Sequence, residues 1–238
     1  MSEKSQLRVR VFADGANLED MVTASKNPLI AGFTTNPTLM RQSGVTDYVA
    51  FAHEVLAAIQ TKPISFEVFS DNLEEMERQA HTIAAWADNV YVKIPITNTK
   101  GETTAKLVER LSSDGIKVNV TAILSLAQVR TAAEALESSR EGIVSVFAGR
   151  VADTGRDPVP LMTAALALLE DYPQLQLLWA SPREVLNVIQ ADRIGCHIIT
   201  VTNDLLKKID GLGRDLEAFS LDTVKMFHGD ARKAGFSL

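Results

Sequence analysis

The first chemical signal in the chain is a lysine inside an apolar run, Val90-Tyr91-Val92-Lys93-Ile94-Pro95. Its β-branched neighbours suit a strand covered on both faces. An ammonium group there is costly unless it is paired, lines a cavity or reaches water. Taken alone, Lys93 leaves two readings open: an amine snorkelling to solvent, or a desolvated nucleophile aimed at a carbonyl. With an ordinary pKa of ~10.4, only about one lysine in 2,500 is a free amine at pH 7. Apolar packing opposes the charged form, whereas nearby carboxylates favour it.

Other polar residues recur where apolar runs end. Asp14 closes the first, Thr34-Thr35-Asn36-Pro37 the second, and Glu67 lies in the third. Asn119 and Thr121 are two apart in the fifth, so they share a face, as do Ser145 and Phe147 in the sixth. Gly149-Arg150, then Ala180-Ser181-Pro182-Arg183, then Thr200 with Thr202-Asn203 follow. Singly, these mean little; Asp14 or Asn36 could each cap a helix or make a turn. Together, Asp14, Asn36, Glu67, Lys93, Asn119 and Thr121 would form a Schiff-base centre if their strands deliver them to one end. Glu67 would shuttle protons through water, and Asp14 would act as base on a hydroxyl beside the carbon–carbon bond being cleaved. Asn36 and Asn119 would hold the hydroxyls of the resulting enamine.

The elements that could deliver them are eight apolar runs of ordinary strand length: Leu7 to Ala13, Ile30 to Thr34, Ile64 to Phe69, Val90 to Ile94, Lys117 to Thr121, Ile143 to Phe147, Gln176 to Ala180 and His197 to Val201. Helical spacing fills the intervals, as in Leu73, Met76, Ala80, Ile83, Ala84 and Ala87 after an Asp71 or Asn72 cap. Asp157-Pro158 gives a second cap, followed by proline at the first helical position. An open doubly wound sheet could show this alternation. Eight units without a Gly-rich loop after the first strand favour a closed (β/α)8 TIM barrel, with chemistry at the C-terminal ends of its strands. Gly211-Leu212-Gly213 reads as a helix end and turn rather than a nucleotide loop. Residues 1–238 read as a single barrel domain with a helical extension at about 216–238, where Leu221, Val224, Phe227 and Ala231 line one side. That helix packs either on its own barrel or on a neighbouring subunit.

Composition is ordinary for a soluble protein. The chain is 46% hydrophobic and 23% charged, with a formal net charge of −6, which argues against a nucleic-acid partner. Cys196 is the only cysteine, so a reducing, cytoplasmic setting is favoured. The polar N-terminus lacks a signal-peptide core, and no run approaches the ~18 apolar residues of a membrane span. His53, His81, His197 and His228 are scattered, without the paired spacing of a metal site. No metal or other cofactor is expected.

At this point the chain resembles the small single-barrel transaldolases, class I aldolases related to the fructose 6-phosphate aldolases. Seven ordered segments carry the resemblance: Phe12-Ala13-Asp14, Thr34-Thr35-Asn36-Pro37-Thr38, Ser65-Phe66-Glu67-Val68, Val92-Lys93-Ile94-Pro95, Val118-Asn119-Val120-Thr121, Ser145-Val146-Phe147-Ala148-Gly149-Arg150 with Asp153 and Gly155, and Ala180-Ser181-Pro182-Arg183. The resemblance implies that Lys93 is the Schiff-base lysine and Asp14 the acid/base. It implies that Glu67 and Thr121 hold a catalytic water, and that Thr34, Asn36, Asn119 and Ser145 bind dihydroxyacetone. Arg150, Ser181 and Arg183 are implied to bind phosphate, which agrees with arginine's fork geometry. It also implies sugar-phosphate substrates and a homo-oligomer, pentamer or decamer, docked through the C-terminal helix. Departures cluster toward the phosphate end: Val146 where proline is usual, Pro182 between the serine and arginine, Thr202-Asn203-Asp204 where prolines are common, and the added Arg156.

Three functions follow for comparison: a transaldolase, a free fructose 6-phosphate aldolase-like lyase, and a silent sugar-phosphate-binding barrel. The lyase branch usually carries glutamine at the Glu67 position and tyrosine at the Phe147 position. Both residues here follow the transfer pattern. The departures leave room for a transaldolase-like enzyme that makes a specialised sugar.

Overall fold

Each of the eight apolar runs forms a strand, and an interval of helical periodicity follows each one. In the computed structural model, which describes residues 7–237, the order is β1 (Arg10–Asp14), α1 (Leu18–Ser25), β2 (Ile30–Thr34), α2 (Pro37–Gln42), α3 (Tyr48–Ala58), β3 (Ile64–Glu67), α4 (Leu73–Ala84), β4 (Val90–Pro95), α5 (Ala105–Ser113), β5 (Val118–Ile123), α6 (Leu126–Ala135), β6 (Gly142–Val146), α7 (Ala148–Asp153), α8 (Pro158–Leu169), β7 (Leu175–Trp179), α9 (Leu186–Arg193), β8 (Ile198–Thr202), α10 (Asn203–Ile209) and α11 (Leu216–Ala234). All eight strands are parallel and close into a barrel in sequence order, with β8 returning to β1. This is the expected (β/α)8 barrel with an added C-terminal helix. Residues 1–6 of the polar N-terminus, and residue 238, lie outside the described residues.

Most strand bounds differ from the apolar runs by a residue or two; two strands fall short by two residues or more, and side-chain caps explain both. The first strand begins at Arg10 rather than Leu7, because the amides of Arg8 and Val9 donate to Asp192 Oδ1 at 2.6 and 3.0 Å. The third stops at Glu67 rather than Phe69, because the amides of Phe69 and Ser70 donate to Gln79 Oε1 at 3.0 and 3.1 Å. An acceptor that takes these amides removes them from the ladder. Asn72 caps α4, and Asp157 caps α8 with Pro158 at its start. The Gly211 region is a turn after α10, with Gly213 at φ +73°.

Strand alternation sorts the core into two bodies. Outward residues such as Val11, Phe33, Phe66 and Val120 pack under the helices. Inward residues Phe12, Tyr91, Ile143, Leu178, Ala180 and Ile198 fill the bore. Gly32 makes room for Phe12, since a Cβ on it would come within 2.5 Å of the ring. Below them, Tyr91 Oη donates to Glu141 Oε2 at 2.7 Å, and Lys117 Nζ pairs with Glu141 Oε1 at 3.0 Å. These contacts tie the N-terminal ends of β4, β5 and β6 together. A cavity of about 400 Å³ opens at this end, lined by Arg10, Tyr91, Lys117, Glu141 and Ile143, and Phe12 with the other bore residues separates it from the opposite mouth.

The C-terminal helix departs from one of the two readings left open. Asp215 caps it and Gly235 ends it in the left-handed region, yet none of its residues is buried. Leu216, Phe219, Leu221, Val224, Met226 and Phe227 are all exposed. Packing of this helix on its own barrel is thus not what the structure shows. Among the described residues, no helix is long and apolar enough to cross a membrane.

Candidate active site

The C-terminal mouth of the barrel holds a cavity of about 570 Å³. Asp14, Thr34, Asn36, Glu67, Lys93, Thr121, Ser145, Phe147, Arg150, Ser181 and Arg183 all line it. Asn119 is the one sequence-selected residue that does not. It sits one layer deeper, accepting from Ser145 Oγ at 2.6 Å and donating to Ser65 Oγ at 3.0 Å. Its amide fixes the Ser145 hydroxyl from below.

Lys93 projects inward from the middle of β4 and is 6% exposed, so its Nζ must be paired. It lies 3.0 Å from Glu67 Oε2 and donates to the Thr35 carbonyl at 3.1 Å. β3 and β4 pair in register at Glu67 and Lys93, which places the carboxylate beside the amine. The Glu67 carbonyl accepts from Tyr48 Oη at 2.7 Å, anchoring the end of β3 to α3. Burial, followed by the nearby Glu67 charge, pushes the Tyr48 phenol above its usual range.

Asp14 ends β1 on the other side of the bore. Burial raises its carboxyl above the usual carboxylate range, and the Glu67 charge acts in the same direction. Lys93, the Thr34 hydroxyl and Asn36 pull it back. Thr34 Oγ1 lies 2.8 Å from Asp14 Oδ1 and 2.5 Å from Thr200 Oγ1. Asn36 serves two purposes: it lines the cavity, and its Oδ1 accepts the Leu39 amide at 3.0 Å as the cap of α2. The bland capping reading and the site reading hold together for this residue.

Thr121 Oγ1 is buried and has no hydrogen-bond partner within the protein. Ser112 Oγ and Trp179 Nε1 are also buried without a partner, but of the three only Thr121 lines the cavity, where a bound group can satisfy it. Next to it, Ala122 takes φ +61°, where the β5–β6 register shifts between Val120 and Ile123. A non-glycine residue in that region stores backbone strain, which concentrates at functional sites.

The outer rim carries the cations. The Arg150 guanidinium stands over the Phe147 ring at 5.6 Å. Gly149 is pressed against the Ser181 carbonyl, where a Cβ would lie 1.5 Å from the oxygen. Ser181 itself has φ +59°. Arg183 is held by Asp153 through both prongs, with Nε–Oδ1 at 2.8 Å and Nη2 on Oδ2. Arg183 in turn holds the Asp153 carboxyl below its usual range. The two arginines therefore differ: one is stacked, the other engaged by a carboxylate.

Several lining groups had no motif to select them. Short α2 contributes Leu39 and Gln42 beyond the Pro37 and Thr38 of the quoted segment, and β8 contributes Thr200 beside the Thr202 already marked as a departure. Thr200 was visible as a polar strand end, but nothing in its type separated it from an ordinary strand-forming threonine. The Asp153–Arg183 pair joins residues 30 apart in sequence and carries no local signature.

Comparison with known proteins adds an independent observation. Residues 11–238 match the family described as Transaldolase/Fructose-6-phosphate aldolase. A probable transaldolase of Dehalococcoides mccartyi is 33% identical over 202 residues, covering 84% of this chain and 90% of the relative. One from Thermoanaerobacter sp. is 33% identical over 233 residues, covering 97% and 100%. Among solved structures, KGPDC from Streptococcus mutans aligns with a TM-score of 0.52 at 12% identity, over 82% of this chain and 88% of that one. Native KDPGal aligns at 0.54 and 13%, over 91% of each. At such identities these two structures share the fold alone. The chain belongs to the transaldolase/fructose-6-phosphate aldolase family.

Proposed function

We propose that this family member transfers a dihydroxyacetone unit from a ketose phosphate, of the fructose 6-phosphate or sedoheptulose 7-phosphate type, to an aldose phosphate through a Schiff base on Lys93. The observation that carries this reading is a buried lysine amine 3.0 Å from Glu67, in one cavity with Asp14. Glu67 accepts a proton from the Lys93 ammonium, and the amine adds to the ketose carbonyl. Glu67 returns a proton to the carbinolamine hydroxyl through a water shared with Thr121, and water leaves to give the iminium. Asp14 takes the proton of the C4 hydroxyl; the C3–C4 bond breaks, the aldehyde departs, and its bonding electrons form the enamine. The acceptor aldehyde enters and the steps run in reverse. General acid–base participation of this kind contributes roughly 10²- to 10⁴-fold. Asn36 and Ser145 hold the three-carbon unit, while Arg150, Ser181 and Arg183 face the phosphate. No metal or other cofactor takes part in these steps.

Borohydride reduction in the presence of fructose 6-phosphate tests the reading. A three-carbon adduct on Lys93, absent in Lys93→Met, is expected by mass spectrometry. No adduct with any ketose phosphate tried would overturn it. The alternative is a free lyase of the fructose 6-phosphate aldolase type. Glu67 and Phe147 favour transfer, and Phe147→Tyr is expected to gain free cleavage activity. A variant that keeps transfer but gains no cleavage refutes this account of the pair.

The working form is proposed to be a cytoplasmic homo-oligomer, pentamer or decamer, in which a neighbour covers α11. A helix of 19 residues with Phe219, Val224 and Phe227 exposed is marginal by itself in water. Light scattering of the full chain should report an assembly, and removal of residues 215–238 should disrupt it. A monomeric full chain would refute the proposal.

A further inference from the structure

We propose that Thr200, on the last strand, is a positioning residue that acts through Thr34 to hold Asp14 as the base of the cleavage step. This rests on the catalytic reading above. The geometry is a chain of three oxygens across the β8–β1–β2 seam. Thr200 Oγ1 and Thr34 Oγ1 are 2.5 Å apart, and Thr34 Oγ1 donates to Asp14 Oδ1 at 2.8 Å. Strand register sets the chain up: Asp14 pairs with Thr34 on one side and with Thr202 on the other, so Thr200 lies one inward position below the carboxylate. Thr34 and Thr200 are 3% and 4% exposed, so bulk water does not compete for either hydroxyl.

A hydroxyl has one proton to give. With Asp14 ionised, Thr34 spends its proton on the carboxylate, and its own oxygen is free to accept from Thr200. The only arrangement that satisfies all three is Thr200 donating to Thr34, and Thr34 donating to Asp14. Each bond polarises the next, and the effect is stronger where water is excluded. With Asp14 protonated, the direction can invert, Thr34 donating to Thr200 through a neutral and weaker bond. The chain therefore favours the ionised carboxylate against burial, which pushes Asp14 the other way. Other groups facing Asp14 are accounted for. Lys93 on β4 favours ionisation, Glu67 on β3 opposes it, and Arg150 and Arg183 stand at the outer rim of the cavity. None of them touches Thr200 or Thr34 through a hydrogen bond of its own.

Asp14 must be ionised to accept the substrate hydroxyl proton, so the chain keeps the base competent toward lower pH. Thr200→Val removes the terminal hydroxyl at nearly constant volume, and Thr200→Ser restores it. In Thr200→Val, Thr34 still donates to Asp14 and only the polarising contribution of Thr200 is lost, about 10–30% of a charge-assisted bond, so the acid limb of kcat/KM is expected to move up by about 0.1–0.7 pH unit. Thr200→Ser should bring it back. Carboxyl-carbon NMR titration of Asp14 in both variants reads the same shift without relying on turnover. A melting change alone, with both titrations unmoved, overturns the proposal and leaves Thr200 a packing residue. The borohydride adduct on Lys93 separates the two levels. An adduct with unmoved titrations sinks only the Thr200 assignment. No adduct in the wild-type protein sinks the catalytic reading, while the NMR titration still decides whether Thr200 controls Asp14.

Discussion

Replacing Gly149 with alanine would put a methyl carbon 1.5 Å from the Ser181 carbonyl oxygen and 2.6 Å from its carbon. A relaxed carbon–oxygen contact is about 3.3–3.6 Å, so the two backbone segments must part by roughly 2 Å. Both partners are backbone, so no flexible side chain can swing aside. The Gly149 amide bond to the Ala180 carbonyl, 3.3 Å long, is lost in the process. Arg150 starts the next residue and Ser181 carries the clash itself, so the displacement falls on two of the three groups assigned to phosphate. Overpacking costs roughly 1–3 kcal/mol or more. At about 2–4 °C per kcal/mol for a chain of this size, Tm should fall by about 2–12 °C. A misplacement of about 1 Å can cost ~10²-fold in rate, so kcat/KM with phosphorylated substrates should drop by that order. Lys93, Glu67 and Asp14 belong to other strands, so the borohydride adduct should still form. The assay compares kcat/KM for fructose 6-phosphate with that for dihydroxyacetone transfer from an unphosphorylated donor, alongside a melting curve. An unshifted Tm would refute the close approach. An equal loss with both donors would refute the assignment of this rim to phosphate.

Other outcomes follow from the same geometry. Gly32→Ala should destabilise by about 1–3 kcal/mol through its clash with the Phe12 ring, and Phe12→Leu on that background should recover part of the loss; urea titration reads both. His197 accepts the Leu177 amide on Nδ1 at 2.9 Å, and burial, followed by Arg10, holds its pKa below the ordinary 6.5. Its folded pKa is thus the lower one, so its contribution is present above about pH 6.5 and is lost as pH falls through the folded value. Denaturation midpoints across pH 5–7.5 should be steeper for the wild-type protein than for His197→Gln, and identical slopes would refute this. Asp153→Asn removes an exposed ion pair and should change Tm by only about a degree, since such pairs are worth ~0–1 kcal/mol. A several-fold change in KM for phosphorylated substrates, with kcat nearly constant, is expected from the altered hold on Arg183.

The barrel was legible because its signal is repeated: eight Val- and Ile-rich runs, each followed by a 3.6-residue pattern. The lysine end of the site was legible for a related reason. Strand periodicity alone puts Glu67, Lys93 and Thr121 on the inner face, and their residue types are unusual there. Short helices were not. α2 and α7 have six residues each, too few to show a period, and α7 lacks a side-chain cap. Asn119 lies on the inner face as expected, bonded to Ser65 and Ser145 rather than lining the cavity, because alternation gives a side and not a depth. The engagement of Arg183 by Asp153 depends on two loops meeting, which neither loop announces. The exposed side of α11 looked in sequence like any amphipathic helix, and only the fold shows that its own barrel does not cover it.

The seam between β1 and β8 has a consequence in time. Lys93 and Glu67 come from neighbouring strands in mid-sequence, so a chain still being synthesised can bring them together early. Thr200 lies 166 residues beyond Thr34 and reaches it only when the last strand closes the ring. Contacts this distant in sequence form slowly. During refolding, competence to be trapped on Lys93 should therefore precede competence to cleave a carbon–carbon bond. On the proposed function, an incomplete chain would hold the Lys93 amine without the Thr200 support of Asp14, and full activity would wait for ring closure.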